Sequence, residues 1–160
     1  MATTNLLDAI RVVKENERIA SEKYREAARN LVNPLAKELF GHLSEFEKFH
    51  LEKLTGLEKS LQESGKYIQY EGKEFPLPPT FTIKAAQDPD KKSAMQIITE
   101  AKELEKQAQS IYASMAGECP DQQGRDMFTK LSAEEGMHFK ILSEAYWSLN
   151  NSGQWKWSRP

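Results

Sequence analysis

One cysteine among 160 residues excludes a disulfide framework, a Cys-rich zinc site and an iron–sulfur cluster, each of which needs several thiols. Charge of one sign is also lacking. Lys and Arg number 22 against 24 Asp and Glu, a net charge of -2, so there is no global basic field for nucleic acid. No uninterrupted apolar stretch approaches the roughly 18 residues of a membrane span. The opening MATTNLLDAIRVVKE lacks the basic-then-apolar order of a secretory signal. A cytoplasmic protein without nucleic-acid or membrane partners is expected. A chain of this length with 39% hydrophobic residues is expected to fold as a single domain, 1–160, hiding roughly 70% of its extended surface without a staple.

Almost nothing reads as strand, and what is present is helical stepping. After Asn5, a candidate cap with Asp8 three residues on, Leu6, Ile10, Val13, Ala20, Tyr24, Ala27 and Leu31 recur on one face, which predicts helix A over 6–31. Asn33-Pro34 restarts the chain as cap and first helical residue, and Leu43, Leu54, Leu57 and Leu61 carry helix B over 34–64 to a stop at Ser64-Gly65. Residues 65–92 hold four of the seven prolines and no helical period. Their length suits a crossover running along a bundle, with Phe75, Leu77, Phe81 and Ile83 expected to pin it to the outside. Helix C is predicted over 93–117, ending at Gly117. Helix D, opened by Pro120-Asp121, is predicted over 121–149, leaving a tail over 150–160. The two halves repeat without a gap at a separation of 88 residues: Ile10 maps to Ile98, Glu17 to Glu105, Tyr24 to Tyr112, Glu47 to Glu135, His50 to His138 and Leu54 to Leu142. The fold class expected is all-α, a four-helix bundle of two similar hairpins joined by a long crossover.

The chemistry is written where polar residues interrupt the apolar stripes. Glu17 falls between Val13 and Ala20. Glu47 and His50 fall between Leu43 and Leu54. Glu105 falls between Ala101 and Ala108, and Glu135 and His138 between Leu131 and Leu142. Four carboxylates and two imidazoles are thus aimed at the bundle axis, near the middle of each helix. Burying even one unpaired carboxylate costs many kcal/mol, clustering four adds repulsion, and no Lys or Arg lies on these stripes. Two divalent ions would balance the four Glu and leave both His neutral as nitrogen donors. Each ion would have one His and one terminal Glu, with Glu47 and Glu135 free to bridge, as in carboxylate-bridged di-iron or di-manganese bundles. A lone Glu-x-x-His is a weak signal; two copies and two solitary Glu in one register are a strong one. Tyr24 and Tyr112 lie seven residues after the solitary Glu. Each is either an ordinary core aromatic or a donor to a ligand carboxylate of the opposite hairpin, with an electron relay as a further role. His42 lies off the stripe and is expected at the surface or boundary rather than as a third nitrogen ligand. Cys119 is expected as a small buried hydrophobe rather than a redox thiol. Trp147, Trp155 and Trp157 are expected on the outside of the bundle or in a subunit interface.

The segments AIRVVKENERIASEKYREAA, HLSEFEKFHLEKL, EAKELEKQAQSIYASMA and KLSAEEGMHFKIL, which span nearly the whole bundle, resemble the ferritin-like di-iron superfamily and within it the rubrerythrin-like domains. The resemblance implies metal-ligand roles for Glu17, Glu47, His50, Glu105, Glu135 and His138, and supporting roles in catalysis for Tyr24 and Tyr112. It implies two iron ions per chain, with manganese or zinc able to use the same ligands. It also implies reduction of hydrogen peroxide or dioxygen, or a ferroxidase reaction, and a homodimer or larger assembly. The chain departs from the family in places. With only Cys119 it has no rubredoxin module with paired CxxC motifs, so electrons are expected from a separate donor such as a rubredoxin. The second carboxylate one turn beyond the solitary Glu of helix C is replaced by Ala108. Lys48 stands where a haem-binding Met of the bacterioferritin pattern would be, so no haem is expected, and no fifth helix of a storage cage follows Leu149. Two further classes are kept: a non-catalytic iron-binding or iron-handling protein, and a structural or partner-binding bundle whose metal only reinforces the fold.

Overall fold

The computed structural model of the chain describes residues 3–76 and 87–158. Four helices follow in order: α1 Thr3–Asn30, α2 Pro34–Ser64, α3 Lys91–Glu118 and α4 Gln122–Ser152. The punctuation is the one the sequence chemistry dictates. The Asn33 side chain accepts from the amides of Leu35 at 2.8 Å and Ala36 at 3.3 Å, and Pro34 takes the first helical position, where its missing N–H is no loss. Asp121 caps α4 through the Gly124 amide at 3.0 Å. Gly65 and Gly153 end α2 and α4 at φ 71° and 72°, the left-handed turn that residues with a Cβ resist.

Three boundaries differ from expectation. α1 already runs from Thr3, so Asn5 lies inside the helix rather than capping it. α3 starts earlier, behind Asp90, and passes through Gly117 to Glu118. α4 continues through Asn150 and Asn151 to Ser152, because the terminating glycine is Gly153. Leu77, Phe81 and Ile83 lie outside the described residues.

Each hairpin packs internally, α1 on α2 and α3 on α4, whereas α1 and α3 make a looser contact. The apolar core is in two parts. One, around Leu39, Phe40, Ile98 and Leu149, fills the end where α1 stops and α3 starts. The other, around Ile10, Leu57, Phe128 and Leu131, fills the opposite end. Since α2 stops at one end and α3 begins at the other, the connector must travel the length of the bundle, which explains its length.

The connector does more than lie on the outside. Phe75 is completely buried, stacked on Phe46 with centroids 6.0 Å apart and set edge-on to His138 at 5.5 Å, and Tyr70 is also buried. At its far end, Gln87 pairs with Gln154 in an isolated antiparallel bridge, and the Trp155 indole donates to Asp88 Oδ2 at 2.5 Å. This closure buries Trp155 and Trp157 in the first core, rather than on the outside of the bundle or in a subunit interface as expected of them. Trp147 is 67% exposed. Among the described residues, no helix is long and apolar enough to cross a membrane.

The depth of Phe75 makes it the connector's principal anchor. Phe75→Ala is expected to lower stability by about 3–5 kcal/mol while leaving helical content intact at 25 °C. Urea unfolding followed by circular dichroism checks this, and a loss under about 1 kcal/mol would mean that the connector is not anchored there.

Candidate metal centre

Between the two apolar cores lies a polar layer to which each helix contributes. Glu17 from α1, Glu47 and His50 from α2, Glu105 from α3, and Glu135 and His138 from α4 are all at most 3% exposed. Two overlapping sets converge. Glu17, Glu47, His50 and Glu135 form one, and Glu47, Glu105, Glu135 and His138 the other, with one potential ligand atom per residue lying within 4.8 Å of the rest. Glu47 and Glu135 are common to both, as expected of bridging carboxylates. All six residues singled out by their phase on the stripes therefore meet in one place.

The donor atoms turn inward rather than pairing off. His50 Nδ1 lies 2.8 Å from Glu135 Oε1, 3.4 Å from Glu17 Oε1 and 3.6 Å from Glu47 Oε2. His138 Nδ1 lies 3.2 Å from Glu47 Oε1 and 3.4 Å from Glu105 Oε2. Yet Glu17 Oε2, His50 Nδ1, Glu105 Oε2, Glu135 Oε1 and His138 Nε2 are fully buried without a well-formed hydrogen bond, Nδ1 of His50 included despite its short contact. Buried polar atoms normally find partners. Although His138 Nδ1 bonds Glu47 Oε1, the oxygens Glu17 Oε2, Glu105 Oε2 and Glu135 Oε1 left unbonded in so crowded a cluster fit a cation in their midst, and oxygen and imidazole donors suit iron, manganese or zinc.

Tyr24 and Tyr112 bind across the hairpins. Tyr24 on α1 donates to Glu105 Oε1 on α3 at 2.9 Å, and Tyr112 on α3 donates to Glu17 Oε1 on α1 at 2.5 Å. Tyr24 holds one oxygen of Glu105 and leaves Oε2 facing His138, whereas the Glu17 oxygen held by Tyr112 is the one that also lies near His50. Burial, reinforced by the neighbouring Glu105 and Glu17 charges respectively, pushes both phenols well above their usual range, so they act as donors at neutral pH.

Sequence reasoning missed Glu134, Tyr70 and Lys73. Glu134 Oε1 lies 3.1 Å from His50 Nε2 and accepts from the Tyr70 hydroxyl at 2.5 Å, while its Oε2 accepts from the Lys73 amide at 2.7 Å. His42 stands apart, partly exposed near Glu38 and against the Phe75 ring. Cys119 is buried and ends α3. On the side away from the imidazoles, a groove between α1 and α3 reaches Glu17, Glu47, Glu105 and Glu135. Its cavity volume is about 90 Å³, and Ala20 and Ala108 are among its walls. No such pocket could be located from the sequence, although small residues at those positions leave the room for it.

A four-helix bundle with a buried double carboxylate–histidine cluster defines the class of protein. The rubrerythrin family model matches residues 1–58, consistent with a ferritin-like, rubrerythrin-like domain. The matched residues cover α1 and most of α2, hence Glu17, Glu47 and His50; the second hairpin carries the same pattern through the internal repeat. No curated protein and no solved structure gives a significant match.

Proton occupancy of the cluster follows from its crowding. Burial, then the Glu47 charge, raises the Glu17 carboxyl well above its usual range; burial, then the Glu105 charge, does the same for Glu135. Burial opposes ionisation of Glu47, but hydrogen bonds with Glu17, His138 and His50 outweigh it and hold Glu47 well below. Burial likewise opposes charge on His138, but Glu105 and Glu47 outweigh it and raise the imidazole to about 9. At pH 7 that ring holds a proton, and a coordinating nitrogen must be free of one. Loading Zn2+ or Co2+ at pH 7 is therefore expected to release protons, with apparent affinity rising as the pH approaches 9. Calorimetry in buffers of different ionisation enthalpy measures the release, and affinity that is flat between pH 7 and 9 would contradict it.

Proposed function

We propose that this chain is a di-iron carboxylate oxidoreductase that reduces hydrogen peroxide or dioxygen, drawing electrons from a separate donor protein such as a rubredoxin and working as a homodimer. The observation that carries the reading is the pair of overlapping Glu3His sets sharing Glu47 and Glu135. Glu17 and His50 would complete one position, Glu105 and His138 the other. A reduced pair of irons bound there would supply two electrons to the oxidant. Peroxide, taking up those electrons and two protons, would leave as two waters.

The residues around the cluster suit that task. The α1–α3 groove is wide enough for a small oxidant to reach the carboxylate side. Tyr112 and Tyr24 hold Glu17 and Glu105 by one oxygen each, so each carboxylate can turn about a fixed point as the charge at the centre changes. The phenols keep their protons at neutral pH, so each goes on donating to its carboxylate. Ala108, in the groove wall, leaves the α3 side without a further carboxylate.

The test begins with metal content per chain on protein purified without oxygen, followed by optical spectra during stepwise addition of hydrogen peroxide and then dioxygen. Two irons per chain with a faster peroxide response and repeated turnover support the peroxidase form. A faster dioxygen response moves the reading to oxidase or ferroxidase chemistry. Many irons per chain favour iron handling, and fewer than one metal of any kind defeats the dinuclear assignment. Glu47→Ala, which removes a shared ligand, is expected to leave at most one iron bound and to cut turnover by about 100-fold or more, beyond the usual loss from an outer hydrogen-bond partner.

A further inference from the structure

The two hairpins repeat each other at every ligand, but not behind the ligands. We infer that the two metal positions are built unequally: Glu134, held by Tyr70 and the connector backbone, locks His50 in place, so that the His50 position fills first and holds its ion more tightly. Among the described residues, His138 has no such support. This rests on the dinuclear reading above and deepens it.

Behind His50 the arrangement is fully connected. With Nδ1 turned to Glu17, Glu47 and Glu135, its Nε2 faces Glu134 Oε1 at 3.1 Å. Glu134 is in turn fixed from the connector by the Tyr70 hydroxyl and the Lys73 amide, and the Tyr70 carbonyl accepts from Lys130 Nζ at 3.0 Å. Gly72 permits the close approach. It stands at φ 85°, and a Cβ there would come to 3.3 Å from Glu134 Oε2. A metal-binding imidazole whose second nitrogen donates to a carboxylate has its tautomer and ring plane fixed and is a stronger ligand.

Behind His138 the contacts among the described residues are with aromatic rings. The position that repeats Glu134 is Phe46. Its ring is perpendicular to His138 with centroids 4.4 Å apart, and Phe75 closes from another side at 5.5 Å. His138 Nε2 is buried with no hydrogen-bond partner among the described residues. When Nδ1 binds an ion, the proton on Nε2 has no acceptor, so this position starts from an uncompensated buried donor. The α1 and α3 sides do not offset the difference, because Tyr112 and Tyr24 support Glu17 and Glu105 in the same way.

The experiment is a titration of the purified full chain with Co2+ as probe, following both heat and visible absorption. The wild type is expected to bind two ions in separate steps, the first about 10–100-fold tighter, which is the usual worth of an outer carboxylate partner. His138→Ala should keep the tight step and lose the weak one, and His50→Ala should lose the tight one. Glu134→Gln, close in shape, should weaken the first step by about 10-fold or more and leave the second unchanged. Tyr70→Phe, which keeps the Glu134 carboxylate and removes one of its donors, should move the first step in the same direction by less, and it reports independently if the Gln variant fails to fold. Two ions of equal affinity in the wild type, or equal weakening of both steps by Glu134→Gln, would overturn the inference while leaving the dinuclear centre standing. Binding of fewer than one Co2+ would overturn both.

Discussion

Everything in this bundle is arranged around the burial of four carboxylates and two imidazoles in one layer at mid-height. An apolar interior cannot hold such a layer cheaply, since each ionised group loses its water and repels its neighbours. The fold answers with apolar packing above and below: one core at each end, each drawing on all four helices. The layer is thereby held from both ends. Within it, some of the repulsion is relieved by proton sharing. Glu17 and Glu135 are pushed up, Glu47 is held down, and His138 and His50 are charged by their neighbours. A pair of divalent cations would neutralise the same layer without protons, so the residues that cost the fold most are the ones that suit a metal centre best.

Much of this was legible because helices convert sequence spacing directly into direction. Glu17 between Val13 and Ala20, and Glu135 with His138 between Leu131 and Leu142, could be assigned to the core from their phase alone, and the 88-residue repeat fixed the register of the two hairpins. The cross-hairpin bonds of Tyr24 and Tyr112 follow from the same arithmetic. Seven residues is about two turns, which puts each phenol on the face of its solitary Glu, and an antiparallel partner brings the opposite Glu level with it.

What was not legible came from segments without a period. Glu134 sits one residue before Glu135, about 100° round the helix, and reads as a solvated side chain until Tyr70 and Lys73 arrive from the connector. The closing contacts of Asp88, Gln87 and Trp155 are equally invisible, because a Pro-rich connector and a tail announce no partner. One sequence signal for Glu134 did exist. In a repeat that preserves the six ligands, a glutamate facing a phenylalanine at the neighbouring position marks a place where the two halves have different surroundings.

The two sides of the polar layer also differ. On the imidazole side, Phe46, Phe49, Phe75 and Tyr70 crowd the His rings, with centroids between 4.4 and 6.4 Å. Closely packed aromatic rings leave a small molecule little room beside the imidazoles, and Glu134 and the Tyr70 hydroxyl on that side already bond His50 and each other. On the carboxylate side, a groove between α1 and α3 ends on the glutamates. Imidazoles have a ring plane to preserve, whereas carboxylates held by one tyrosine bond can rotate. A bundle that closes around its imidazoles and opens beside its carboxylates leads any small molecule that enters the groove to the glutamates, the side chains that can move at least cost to the fold.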